Sequence, residues 1–259
     1  MKSGITIHMM VRNEENFVKA SIESILPIAK QVIVFDTGST DRTVEIVKGI
    51  NSKKIKLFEK GAQNPIGLVK LRNEMVKTTK TEWFMVVDGD EIFYIKKPTG
   101  LLGGLGGLPA NISRVEVTVR DFVNDPQLVA RDRVSGKIWK TKNIEFIGTY
   151  PFEGPALKEN RKAPWKTYST NSLKDLAICF HMVFFPRSPR DVDVEIGRHW
   201  RGYPFPVLPY FGNYPAQIGF RKNILVSLVK FFAYNFKGLF DLFFHKKEEK
   251  KDARSPQVK

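Results

Sequence analysis

Apolar and polar positions along the first ninety residues alternate between two periods. Ile5–Val11 is an almost unbroken apolar run, the pattern of a strand buried on both faces. From Glu14 to Leu26, apolar residues recur at Phe17, Ala20, Ile22 and Ile25, close to helical spacing, and Pro27 follows. Gln31–Phe35 predicts a second buried strand that ends at Asp36. Thr37-Gly38-Ser39-Thr40 then predicts a turn, with Ser39 or Thr40 capping a helix to about Lys48. Ile55–Phe58 predicts a third strand, Pro65–Lys77 a helix opened by its proline, and Trp83–Val87 a fourth strand. Such alternation argues for an α/β fold with a mostly parallel sheet and right-handed crossovers.

Past Glu91 the pattern changes. Gly100–Gly107 reads as a Gly/Leu connector, because no strand-to-helix context makes it a phosphate cradle. Ile112–Arg120, Val134–Trp139 and Leu176–Phe185 read as strands, which gives the second part an α+β character. Ser188-Pro189-Arg190-Asp191 predicts a helix start, leading to about Trp200. Residues 202–217, rich in Pro and aromatics, predict irregular structure.

The 259 residues suffice for one large domain with a sizeable core. The single cysteine, Cys179, excludes an intramolecular disulfide framework and sits in an apolar run, so it reads as core packing. A net charge of +15 implies an anionic partner: a nucleotide, a nucleic acid or an acidic membrane. Ile5–Val11 is too short and polar-flanked for a signal-peptide core, and no segment reaches the roughly 20 apolar residues of a membrane span.

The fourth strand runs straight into Asp88-Gly89-Asp90-Glu91. Two carboxylates one residue apart at a strand tip suit a hard divalent cation shared with substrate phosphates. Ligands in open α/β sheets gather beyond the carboxyl ends of the strands, where Asn13, Asp36 and Asp88 all fall. Val11-Arg12-Asn13-Glu14-Glu15, Val32 through Thr43, Arg72-Asn73 and Trp83 through Glu91 occur in that order. Together they resemble the family 2 glycosyltransferases with the GT-A fold.

The resemblance implies a nucleotide-diphosphate sugar, most often UDP-linked, held with Mn²⁺ or Mg²⁺. It assigns Asp36 to the nucleobase, Gly38 to the tight turn beside it, Arg12 and Glu14 to the base and sugar pocket, and Arg72 to the ribose or diphosphate. Asp88 is assigned to the ribose or metal, Asp90 to the metal and His181 to a third ligand position. An inverting transfer also needs a carboxylate base. Glu153 falls where related sequences carry a His-Glu pair, although Phe152 replaces that His here. Asp191 or Asp193 is the second choice, with helix capping an adequate account of Asp191. On this reading residues 1–110 form the nucleotide-sugar half of the domain and 111–201 the acceptor half.

The last part of the chain carries a different signal. On a helical projection, Asn223, Ser227, Lys230, Tyr234, Lys237, Asp241 and His245 form a polar stripe beside a wide aromatic arc. Lysines follow from Lys246. Residues 202–245 therefore read as an aromatic-rich amphipathic segment, either lying in a membrane interface or packed on protein, and 246–259 as a charged tail. The combined expectation is an enzyme peripheral to the cytoplasmic face of a membrane, acting on a lipid-linked or surface-glycan acceptor, with no nucleic-acid partner. A nucleotidyltransferase is the first rival; it would ordinarily show a Gly-rich signature where Arg12-Asn13-Glu14-Glu15 stands. A non-catalytic basic protein binding membrane or nucleic acid is the second, and lacks basic residues interleaved with aromatics as a stacking platform.

Overall fold

The computed structural model of the chain describes residues 4–122, 127–149, 153–161, 167–169, 177–183, 185–189, 208–210, 213–218, 228–233 and 235. The first half runs β1 (Ile5–Val11), α1 (Val18–Ile25), β2 (Ala29–Asp36), α2 (Thr43–Gly49), β3 (Ile55–Glu59), α3 (Pro65–Thr78) and β4 (Trp83–Val86). It continues with β5 (Glu91–Ile95), α4 (Pro98–Gly106), β6 (Arg114–Phe122), β7 (Leu128–Lys140), β8 (Ile144–Ile147) and β9 (Gly154–Leu157). β10 (Thr167–Ser169), β11 (Ala177–His181) and β12 (Leu208–Pro209) complete the described strands. One mixed sheet takes the order β3-β2-β1-β4-β7-β6-β11-β5, with β10 beside β6 and β12 beside β7; β8 and β9 form a separate ribbon. This is a GT-A-like α/β architecture, with one sheet continuous across residue 110.

Period-2 alternation divides β1 between two helical layers. Ile7, Met9 and Val11 are fully buried with Val18, Ile22 and Ile25 of α1. The opposite face of the sheet packs Ile33 and Phe35 against Leu71 and Met75 of α3. The first four strands form the parallel set that the alternation predicts, and β10 and β11 also run parallel to β6; the pairings β4–β7, β7–β6, β11–β5 and β12–β7 are antiparallel.

Helix starts differ from the periodic reading because side chains divert the backbone first. Asn13 takes a left-handed φ of 53° and residues 15–17 form a turn, so α1 begins at Val18. The cap position of α2 is Arg42 rather than Ser39 or Thr40; Asp41, just before it, accepts from the Thr43 amide through Oδ1 at 2.9 Å, and α2 begins at Thr43. The connector expected at Gly100–Gly107 is instead occupied by α4. Pro98 opens it, and Leu101 and Leu105, one turn apart, are buried in the main core, so packing overrides the poor propensity of its glycines. β11 stops at His181 rather than Phe185, because the Met182 amide turns to Asp90 O at 2.9 Å and the Phe185 amide to Met182 O.

β4 and β5 are joined by only Val87–Asp90, yet three strands separate them in the sheet. Flat, that path would span about 19 Å at normal strand spacing. The linker is turned, with the Glu91 amide bonded to Asp88 O at 3.1 Å, so it cannot reach that far. The strands from β4 to β5 therefore curl, with Asp88-Gly89-Asp90 at the mouth. Register does the rest. Val119, Cys179 and Phe93 form one cross-strand row of apolar side chains, and two residues on Asp121, His181 and Glu91 form the next.

The expected helix from Asp191 to Trp200 lies outside the described residues, as does the tail from 236. Residues 228–233 are helical, with Leu228, Val229 and Phe232 exposed. Among the described residues no helix is long and apolar enough to cross a membrane.

Candidate active site

The tips of β2, β1 and β4 are neighbours: Asp36 pairs with Val11, and the Val87 amide bonds to His8 O at 3.0 Å. Two strand spacings, about 10 Å, therefore separate the Asp36 turn from the Asp88 loop. Asp36 is buried and fully engaged by its own turn. Its Oδ1 accepts from the Gly38 and Ser39 amides, both at 3.0 Å, and its Oδ2 accepts from the Ser39 hydroxyl. Gly38 has φ 94°, and a Cβ there would meet Ala62 N at 2.9 Å. Asn13 Oδ1 accepts from the Thr40 amide at 2.8 Å, and Ser39 Oγ accepts from the Asn13 amide at 3.0 Å. Arg12 is exposed beside this turn.

Glu14 does not line that surface. It is buried, with Oε1 accepting from Arg187 Nη1 at 2.6 Å, and it passes directly beneath Gly89. A Cβ at Gly89 would lie 2.5 Å from Glu14 Cγ, which is why the loop needs glycine there. The Asn16 amide bonds to Arg187 O, so the segment after β11 is tied to the start of α1. α1 also braces the acidic loop, as Ser21 Oγ donates to Asp88 O at 3.1 Å.

Asp88 faces cations. Its carboxylate lies 3.6 Å from Arg72 Nη2 and 3.7 Å from Lys137 Nζ. Burial works to raise its pKa, but Lys137, then Arg72, and His181 beyond them hold it down to about 2. Lys137 is buried and also bonds to Glu91 at 2.6 Å; burial opposes its charge, yet Glu91 and then Asp88 raise its pKa above the usual lysine value. Arg72 is 6% exposed, and its Nε and Nη1 have no hydrogen-bond partner. Its Nε stands 4.0 Å from Glu153 Oε1, while Glu153 Oε2 is buried and without a hydrogen-bond partner.

Asp90 and His181 form the second cluster. His181 Nδ1 lies 2.7 Å from Asp121 Oδ1, and Arg133 Nε donates to Asp121 Oδ2 at 3.2 Å. The short Asp121 contact assigns the ring proton to Nδ1, which leaves Nε2 facing Asp90 Oδ1 at 3.8 Å. Burial opposes a charge on His181, but Asp90 and the Asp121 hydrogen bond outweigh it and raise its pKa. An imidazole nitrogen and a carboxylate oxygen facing each other this way fit a hard divalent cation. The three expected ligands are not gathered, however. Asp88 is drawn toward Lys137 and Arg72, and among the described residues no three His, Cys, Asp or Glu groups stand close enough to hold a metal together.

Cys179 is buried, with burial first raising its thiol pKa well above normal, the opposite of what a nucleophile needs. Asp191 and Asp193 lie outside the described residues. Lys137, Asp121, Arg133 and Arg187 were not identified from sequence. The usable signal was alternation: Asp121 ends the inward row Val115, Val117, Val119, where an apolar residue is expected.

Comparison with known proteins identifies the family of the chain. A family profile described as glycosyl transferase family 2 matches residues 6–164. No curated protein matches the chain. Among solved structures, TarS from S. aureus in complex with UDP-GlcNAc overlaps 69% of this chain and 59% of its own, with a TM-score of 0.48 and 16% identity. Glucosyl-3-phosphoglycerate synthase from Mycobacterium tuberculosis, with Mn²⁺, UDP and glucosyl-3-phosphoglycerate, overlaps 46% of this chain and 44% of its own, with a TM-score of 0.34 and 20% identity. The chain thus spans less than two thirds of either structure.

Proposed function

The chain belongs to glycosyl transferase family 2, and from that membership we propose that it is an inverting transferase using a UDP-linked sugar and a divalent cation. The observation that carries the reading is the Asp88–Asp90 loop, flanked on one side by Arg72 and Glu153 and on the other by His181. Asp90 and His181 would hold the cation, with Asp88 completing the set by leaving Lys137. The bound ion would neutralise charge on the departing diphosphate.

Glu153 is the base. It takes the proton of the acceptor hydroxyl as that oxygen bonds to the anomeric carbon and the bond to the diphosphate oxygen breaks. Arg72, with Nε and Nη1 buried and without hydrogen-bond partners, receives charge on the leaving diphosphate. Asp36 holds the turn whose backbone and side chains face the nucleobase. The acceptor in this reading is a lipid-linked or surface glycan at the cytoplasmic face of a membrane. It is supported by the exposed Leu228, Val229 and Phe232 and by the lysines from Lys246.

Thermal shift with UDP tests the site. A ligand at a hundredfold excess over its Kd stabilises by about 2.7 kcal/mol, so UDP with Mn²⁺ should raise Tm by several degrees. EDTA or Asp90→Ala should remove the Mn²⁺-dependent part; an unchanged shift in Asp90→Ala would end the metal assignment. In a parallel flotation assay, the chain should rise with phosphatidylglycerol vesicles and not with phosphatidylcholine alone. Equal recovery in the absence of vesicles would remove the membrane part of the reading.

A further inference from the structure

Next to Arg72 on α3, Asn73 makes a two-point contact with the β8–β9 ribbon. Its Nδ2 donates to Phe146 O at 2.8 Å, and its Oδ1 accepts from the Phe146 amide at 2.8 Å. The side-chain amide thereby does what a neighbouring strand would do. Phe146 pairs with Pro155 across the ribbon, and Pro155 has no N–H to give. That costs nothing, because both Phe146 backbone groups point away from β9 toward Asn73.

Among the described residues, the other contacts of β8 and β9 themselves with α3 and the main sheet are apolar. Ile144 and Phe146 pack with Val69, Val76, Phe84 and Trp139. Such packing holds the ribbon down but is non-directional and fixes its position along α3 weakly. Asn73 supplies the direction. Ile147 pairs with Gly154, and Glu153 immediately precedes Gly154, so only that pair separates the residue Asn73 grips from the position of the carboxylate.

We propose that Asn73 is a positioning residue that sets the reach of Glu153 over the Asp88 loop by clasping Phe146. This rests on the reading of Glu153 as the base. Arg72 and Asn73 project in different directions from one rigid turn of helix. Arg72 touches both Asp88 and Glu153, while Asn73 fixes β8, the ribbon partner of the strand that Glu153 precedes. α3 is therefore the common gauge between the leaving-group side of the site and its base. A displacement of the base by one carbon–carbon bond is enough to lose much of its advantage.

The test is UDP release from UDP-glucose and UDP-N-acetylglucosamine with Mn²⁺, water serving as acceptor, well below the Tm of every variant. Glu153→Gln should slow kcat by about a hundredfold or more. Asn73→Ala should slow it by about tenfold, with KM for the sugar nucleotide within about twofold. Asn73→Gln keeps both hydrogen-bonding groups but moves them outward, so it should lose kcat while keeping Tm. The double variant Asn73→Ala/Glu153→Gln should be no slower than Glu153→Gln alone, since Asn73 acts through Glu153.

Full kcat in Asn73→Ala and Asn73→Gln, a rise in KM instead, or multiplied losses in the double variant would overturn the role of Asn73 while leaving the base assignment intact. An undiminished rate in Glu153→Gln, or no turnover of either sugar by the wild type, would instead overturn the parent reading, and this inference with it.

Discussion

Two buried histidines, one in each half of the sheet, are held in opposite ways. His8 on β1 stacks on Phe84 at 4.5 Å, and its Nε2 lies 2.6 Å from Thr79 Oγ1, while Nδ1 has no hydrogen-bond partner. Burial, and then the nearby Arg72 charge, push its pKa down to about 3. His181 on β11 is just as enclosed, but Asp90 and Asp121 reverse the effect of burial and raise its pKa. The first half tolerates no charge on its histidine; the second surrounds its histidine with carboxylates. The same contrast holds around them. The Asp36, Asn13 and Asp41 turns are closed by uncharged donors within about thirty residues of each other, whereas Lys137–Glu91, His181–Asp121 and Arg187–Glu14 link strands and segments far apart in the chain.

Charge pairing that dense makes the second half the more fragile to single substitutions. Lys137→Met is expected to have the largest effect. It leaves Glu91, 1% exposed, without its ammonium, and breaking a buried pair from one side costs about 3–5 kcal/mol. Denaturant unfolding should show that loss, and Lys137→Met/Glu91→Gln should recover a large part of it. If the single variant is destabilised by less than the double one, the pair is not what holds this side of the site together.

The same contrast explains what could be read from the chain. β1, β2 and β4 and the acidic loop after β4 were legible, because apolar runs, two of them leading into Asp36 and Asp88, are local patterns. The α4 helix was hidden by its glycines, and β8 and β9 by their length of four residues each. Lys137 carries no local sign of its role, because it meets Glu91, 46 residues away, on a strand that does not pair with its own. The place of Glu14 beneath the acidic loop was not legible, because Arg187, which engages it, follows 173 residues later. Contacts made by topology leave no periodic trace in the sequence.

A smaller effect separates the halves by pH. In the unfolded chain His8 regains its ordinary pKa of 6.5, whereas in the fold it stays neutral down to about 3. Below pH 6.5 the unfolded state therefore binds a proton that the native state refuses, and stability falls as pH drops through that window. From pH 7 to pH 5 the loss assigned to His8 is about 2 kcal/mol. His181 has the opposite sign: its raised pKa contributes stability that is complete below 6.5 and fades as pH rises through the folded value. The wild-type profile mixes the two, so the informative quantity is the difference from His8→Phe. Phenylalanine keeps the stack on Phe84 and cannot take a proton, while Thr79 retains its hydroxyl bond to Met75 O at 2.8 Å. The variant should gain about 2 kcal/mol on the wild type between pH 7 and pH 5, read by urea unfolding at each pH. Parallel profiles would mean that His8 is charged in the fold, and the two halves would then treat their histidines alike.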